Sequence, residues 1–132
     1  MTIHHNSEIL IVDDSGTVRS VVRKLMVQLG YKQLDEASDG AAALELIIQR
    51  RFDLVISDWN MEPMGGRELL EKVRANERTK YLPFIMMTAD STIDKIVQAR
   101  RARVSCFINK PFRADALQAK IVEINNELAA PP

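Results

Sequence analysis

The sequence predicts an α/β domain built on a parallel sheet. Three observations carry that prediction. Short apolar runs rich in Ile, Val and Leu recur along the chain, and stretches with helical spacing of apolar residues separate them. Strict alternation of strand and helix patterns is the signature of helices covering both faces of a parallel sheet. The 132 residues, 46% hydrophobic and 27% charged, suit one soluble domain around one core.

The elements follow in order. Residues 8–13, Glu-Ile-Leu-Ile-Val-Asp, form the first strand and end on Asp13 and Asp14. Ser15 is a plausible N-cap for a helix carrying Val18, Val21, Val22, Leu25 and Leu29, and Gly30 stops it. Residues 33–37 form a weaker strand. Asp39-Gly40 marks a turn into a helix from Ala41 to Gln49. The third strand, around Leu54-Val55-Ile56, ends on Asp58. Glu62-Pro63-Met64-Gly65-Gly66 is loop chemistry, followed by a helix with Leu69, Leu70 and Val73. Pro83 opens the fourth strand, Phe84-Ile85-Met86-Met87, which closes at Thr88 and places both methionines in the core. Ser91 is expected to cap a helix containing Ile93, Ile96 and Val97. Val104–Ile108 is the fifth strand, closed by Asn109-Lys110-Pro111. Leu117, Ile121, Ile124 and Leu128 mark the last helix. The domain is thus expected over residues 8–128, with loose ends at 1–7, including His4 and His5, and at 129–132.

Composition excludes several functions. Eighteen basic residues balance eighteen acidic ones, which argues against a direct nucleic-acid binder. No apolar run approaches the ~20 residues needed to cross a bilayer, and the first residues lack a secretory signal pattern. Cys106 is the only cysteine, so no intrachain disulfide forms, as expected of a cytoplasmic protein. It reads as a buried apolar residue rather than a redox switch.

The informative pattern lies at the strand ends. Asp13, Asp14, Asp58, Thr88 and Lys110 each follow an apolar run, and in a parallel sheet those ends share one edge, where ligands bind. Each residue alone could be structural: a cap, a turn former, a plain ion pair. Together they describe a site. Like charges ~4 Å apart cost about 4 kcal/mol per pair at an effective dielectric near 20. A cationic side chain or a metal relieves that, and an all-oxygen donor set suits Mg²⁺. A dication, a lysine and a hydroxyl around an aspartate can receive a phosphoryl group, with Asp58 as the nucleophile.

At these residues the sequence resembles the receiver domain of bacterial two-component response regulators, over about residues 7–128. The motifs are Val12-Asp13-Asp14-Ser15, Ser57-Asp58-Trp59-Asn60-Met61, Thr88-Ala89 and Lys110-Pro111-Phe112. It is most similar to the single-domain chemotaxis members. The resemblance implies a flavodoxin-like (βα)5 three-layer sandwich with strand order 2-1-3-4-5. It also implies roles. Asp58 accepts a phosphoryl group from a histidine kinase or phosphotransfer protein. Asp14, Asp58 and the Asn60 carbonyl ligate Mg²⁺, with Asp13 acting mainly through water. Thr88 and Lys110 bind phosphoryl oxygens, and a cis Lys110–Pro111 bond is common. Asn60 and Asp90 tune loss of the phosphoryl group, and Phe107 is the switch aromatic. Trp59 would lie beside the site.

Four departures stand out: Glu62-Pro63 inverts the usual proline placement and lets Glu62 crowd the metal; Gly65 replaces a common acid; Arg103 replaces a frequent glycine; Phe107 replaces tyrosine. Arg100, Arg101 and Arg103 are a candidate patch for an acidic partner, or a solvated helix end. No output domain follows residue 128, so the expected output is a protein target: a flagellar motor, a phosphatase or another effector. Chemotaxis leads, with a phosphorelay shuttle or a stress or cell-cycle regulator as the alternative. The domain is read as a switch and not an enzyme. A haloacid-dehalogenase-like phosphatase would want an acid where Asn60 stands, and a flavin domain would not place Asp13-Asp14 against a phosphate.

Overall fold

The computed structural model describes residues 2–129. Five strands and five helices alternate: β1 (Glu8–Val12), α1 (Gly16–Gln28), β2 (Gln33–Ala37), α2 (Gly40–Gln49), β3 (Leu54–Asp58), α3 (Gly66–Ala75), β4 (Phe84–Thr88), α4 (Ile93–Arg101), β5 (Cys106–Asn109) and α5 (Ala114–Ala129). The sheet is parallel in the order β2-β1-β3-β4-β5, the flavodoxin-like arrangement expected.

Alternation along each strand divides the core into two layers. Ile9, Ile11, Ile56, Ile85 and Met87 pack with Val22 and Met26 of α1 and Leu117, Ile121 and Ile124 of α5. Leu10, Val12, Val55 and Met86 pack with Ala43 and Ile47 of α2 and Leu69, Leu70 and Val73 of α3. β3 and β4 are buried along their whole length. Buried on both faces, they read as continuous apolar runs.

Local signals set most boundaries. The Ser15 hydroxyl accepts the Val18 N–H, and the Asp39 carboxylate accepts that of Ala42. Gly30 ends α1 at φ 98°. There Tyr31 N–H donates to Met26 O and Gly30 N–H to Val27 O, a Schellman closure. Three elements differ from expectation in a cap, a boundary or the burial of an apolar residue. Thr92, not Ser91, caps α4, accepting the Lys95 N–H. β5 starts at Cys106: the Val104 N–H is spent on closing α4 onto Ala99 O, and Ser105 bonds Phe84 of β4 through its N–H and its hydroxyl. Ile93 and Val97 are exposed, and Ala99 is the one buried residue of α4. Leu128 is likewise exposed, past the last turn of α5 that meets the sheet.

The first residues are not a loose arm. Ile3 is buried, its N–H donates to Asn125 Oδ1, and Asn125 Nδ2 donates back to Ile3 O. His5 meets the Tyr31 ring edge-on. A buried Ile with both backbone groups paired offsets the entropy of ordering the segment. At the other end Ala129 closes α5. Residues 130–132 of the expected tail lie outside the described residues.

Candidate functional site

Register places the site. Val12 pairs with Ser57, so the next residues, Asp13 and Asp58, leave the sheet side by side. Adjacent strands lie about 4.8 Å apart, which is the separation two carboxylates inherit. Asp58 pairs with Met87, and Thr88 with Asn109, so Thr88 and Lys110 each stand one step beyond. The ladder continues past the strand ends: Trp59 N–H donates to Met87 O at 3.0 Å and Lys110 N–H to Thr88 O at 2.7 Å.

Carboxylate oxygens of Asp13, Asp14 and Asp58 lie within 4.8 Å of one another. Asp13 and Asp58 are buried, and Asp14 is exposed. Lys110 Nζ bridges the two buried acids, 2.9 Å from Asp13 Oδ2 and 3.0 Å from Asp58 Oδ1. Asp13 Oδ1 accepts the Ser15 N–H. Both Asp13 oxygens are therefore engaged, which suits a role behind a water. Burial pushes the Asp58 pKa up; the Lys110 hydrogen bond pulls it down, and the Asp13 charge raises it again. For Lys110, burial acts downward, but hydrogen bonds and charges from Asp13 and Asp58 outweigh it, and its pKa rises. The cluster holds one cation against three acids, so it retains excess negative charge.

That donor set fits a hard dication. Adjacent ligands of octahedral Mg²⁺ stand about 3 Å apart and opposed ones about 4.2 Å, so direct ligation by Asp14 and Asp58 would draw their oxygens together while Asp13 stays behind a water. Asn60 is exposed beside Asp14 and Glu62 in an open groove of about 800 Å³. Glu62 therefore reaches the rim of the site, as its position after Met61 suggested. Both Glu62–Pro63 and Lys110–Pro111 are cis.

Thr88 is buried, and its hydroxyl does not point to Asp58. It donates to Asp90 O and accepts the Asp90 N–H, both at 3.1 Å. The Asp90 side chain is 3.7 Å from Lys95 Nζ. Lys95 also lies over the Trp59 ring at 5.7 Å, and Trp59 meets Phe107 edge-on at 6.3 Å. Trp59 thus touches the site, α4 and the aromatic of β5 at once. Nothing in the sequence marked Lys95, since its role depends on where α4 docks.

Two glycines read only as turn and loop formers prove structural to the site. Gly66 N–H donates to Trp59 O, and a Cβ at Gly66 would collide with the Asp58 carbonyl oxygen. Gly40 N–H donates to Met64 O, and a Cβ there would lie 2.7 Å from that oxygen. Gly65-Gly66 in the sequence was a usable signal for this close approach.

Arg103 has φ 64°, so the position does take the left-handed backbone that glycine favours. The arginine cluster is divided between two faces. Arg100 lines a groove with Phe107 and Lys120, while Arg101 and Arg103 line another between α3 and α4.

Comparison with known proteins agrees with this geometry. The family model described as "Response regulator receiver domain" matches residues 9–122. The chain is 44% identical over 117 residues to the chemotaxis protein CheY of Pseudomonas aeruginosa, covering 89% of this chain and 94% of that one. It is 41% identical over 126 residues to CheY-3 of Vibrio cholerae, covering 96% and 97%. The solved structure of Vibrio cholerae CheY4 superposes with TM-score 0.84 at 30% identity, over 90% of this chain and 98% of that one. On a match that spans the acidic site and the strand ends at Thr88 and Lys110, the chain belongs to the response regulator receiver domain family and is CheY-like.

Proposed function

We propose that this domain is a phosphoacceptor switch in which Asp58 takes a phosphoryl group from a histidine kinase or phosphotransfer protein. One observation carries the reading: three carboxylates within 4.8 Å, with Lys110 bridging Asp13 and Asp58. An Asp58 carboxylate oxygen attacks the phosphorus of a phosphohistidine. The P–N bond breaks, its electron pair stays on the imidazole, and an acyl phosphate forms. Asp14, Asp58 and the Asn60 carbonyl would hold Mg²⁺, with Asp13 behind a water; the ion would offset negative charge on the transferring group. Lys110, which bridges Asp13 and Asp58, would donate to a phosphoryl oxygen without leaving the site.

Thr88 would give up its bonds to Asp90 and turn its hydroxyl to the phosphoryl group, and the space it leaves admits Phe107. Reversing a 1:99 population needs ~5.5 kcal/mol of differential interaction, within reach of a few charge-assisted hydrogen bonds. Phe107 has no hydroxyl to bond, so its readout would be packing, against Trp59 and the core beside it. Asn60 and Asp90 would set the lifetime of the acyl phosphate. We place the protein in the cytoplasm, signalling to a protein target and turning over no substrate. No helix among the described residues is long and apolar enough to cross a membrane. The names of the relatives from Vibrio cholerae and Pseudomonas aeruginosa favour chemotaxis.

Trp59 emission tests the scheme. Titration with Mg²⁺ and then fluoroberyllate should change it in two saturable steps. Asp58→Asn should weaken the first step and abolish the second. A fluoroberyllate response that survives in Asp58→Asn would sink the reading.

A further inference from the structure

α3 and α4 flank a groove of about 400 Å³ lined by Arg67, Arg74, Arg101 and Arg103. Glu71 is its one acidic lining residue, 3.6 Å from Arg67 Nε. Arg74 forms the floor. Its residue is 8% exposed, and its guanidinium donates to the carbonyls of Arg103 at 2.9 Å, Lys80 at 3.2 Å and Leu82 at 2.6 Å. Among the described residues it has no carboxylate partner. Burial and then the Arg103 charge pull its pKa down to about 10.

Helix electrostatics does not account for this set. The C-terminal dipole of α4 favours Arg101, but Arg67 stands in the first turn of α3, where a cation is disfavoured. Nor does the turn require Arg103. The closure after α4, Val104 N–H to Ala99 O and Arg103 N–H to Arg100 O, needs only a left-handed residue. A side chain in that conformation costs roughly 1–2 kcal/mol that glycine would avoid. Beyond one long bond from Arg103 Nη2 to Arg74 O at 3.4 Å, which is weak, what arginine adds is a charge at the groove mouth.

We propose that the α3–α4 groove is a docking surface for an acidic segment of a protein partner, whose carboxylates meet Arg67, Arg101 and Arg103 above the buried Arg74. Guanidinium forks match carboxylates two bonds at a time. Four arginines against one glutamate leave the groove strongly positive on a chain of zero net charge, so the attraction is local and salt-sensitive. Arg67 Nη1 also donates to Gln98 Oε1, so an occupant would bridge both helices. The surface is complete in the unmodified chain and does not depend on phosphorylation of Asp58.

The test is fluorescence anisotropy of a fluorescein-labelled octaglutamate peptide with the full chain, at low and physiological salt. Arg101→Glu and Arg103→Gly should each weaken binding about tenfold or more, as loss of a docked charge does. Arg100→Glu, on the other face, should change it less than about twofold, as a charge outside the contact does. Arg103→Gly keeps the backbone turn, and its melting midpoint should match or exceed wild type. The proposal fails if the peptide does not bind, if Arg101→Glu and Arg103→Gly bind as wild type, or if Arg100→Glu loses as much, which would mean diffuse attraction only.

Discussion

Gly66→Ala should damage the end of β3 far more than one methyl group suggests. The added Cβ would overlap the Asp58 carbonyl oxygen and sit 3.0 Å from the Asp58 carbonyl carbon and 2.8 Å from Met86 Sδ. Met86 can give way; the backbone of β3 cannot, because its neighbours β1 and β4 fix it on both sides. Ordinary contact would need α3 and the end of β3 to part by roughly 1 Å. Overpacking of that kind costs ~1–3 kcal/mol. Stretching the Gly66 N–H bond to Trp59 O adds about 1 kcal/mol. Taking about 3 kcal/mol in all and a urea slope near 2 kcal/mol per molar, the unfolding midpoint should fall by about 1.5 M. Trp59 emission and far-ultraviolet circular dichroism should report it together. Gly16→Ala is the control, since its Cβ would meet only Arg19 Nη2 at an ordinary 3.5 Å, and it should lose nothing. Strain passed to the Asp58 carbonyl should also disturb the 3.0 Å contact of its side chain with Lys110, so fluoroberyllate should bind more weakly to the folded variant. A Gly66→Ala midpoint equal to wild type would refute the close-packing argument.

Three further outcomes follow from the same structure. Lys110→Met strands two buried acids and should destabilise by about 3 kcal/mol in urea unfolding at neutral pH, with millimolar Mg²⁺ restoring part of the loss. Arg23, with Arg19, holds the Glu36 carboxyl below its ordinary range despite an opposing effect of burial. Its stabilisation is therefore full above the unfolded pKa of 4.5 and lost as pH falls through the folded value, so Glu36→Gln should flatten the acid limb of the stability curve at a neutral-pH cost of about 1 kcal/mol or less. Burial pushes the Cys106 thiol up to about 11, so the folded protein should resist Ellman's reagent at pH 8 and react fully in urea; rapid reaction without denaturant would contradict its packing beside Lys120.

Much of the site was legible because short-range patterns encode it. All strands but β2 are local apolar runs, and the residue type ending each of those is visible in sequence. Asp13, Asp58, Thr88 and Lys110 were found this way, and the register then brought them together. What failed was whatever depends on contacts far along the chain. Ile3 looked like part of a free end until Asn125 of α5 met it. Ile93 and Val97 marked the helix in sequence, but which face of α4 they lie on was not local, and α4 turns them to solvent.

By itself the sequence determined the alternation of strand and helix, the cap at Ser15, the turn at Asp39-Gly40, and the polar residue at four of the five strand ends. Those depend on backbone propensities and side-chain spacing within a few residues. Only the tertiary structure decided that the Thr88 hydroxyl turns to Asp90, that Lys95 covers Trp59, and that Arg100 parts from Arg101 and Arg103. Successive residues on a helix point about 100° apart. A run of like charges in sequence is therefore one surface or two according to where the helix is seated, and long-range packing alone seats it.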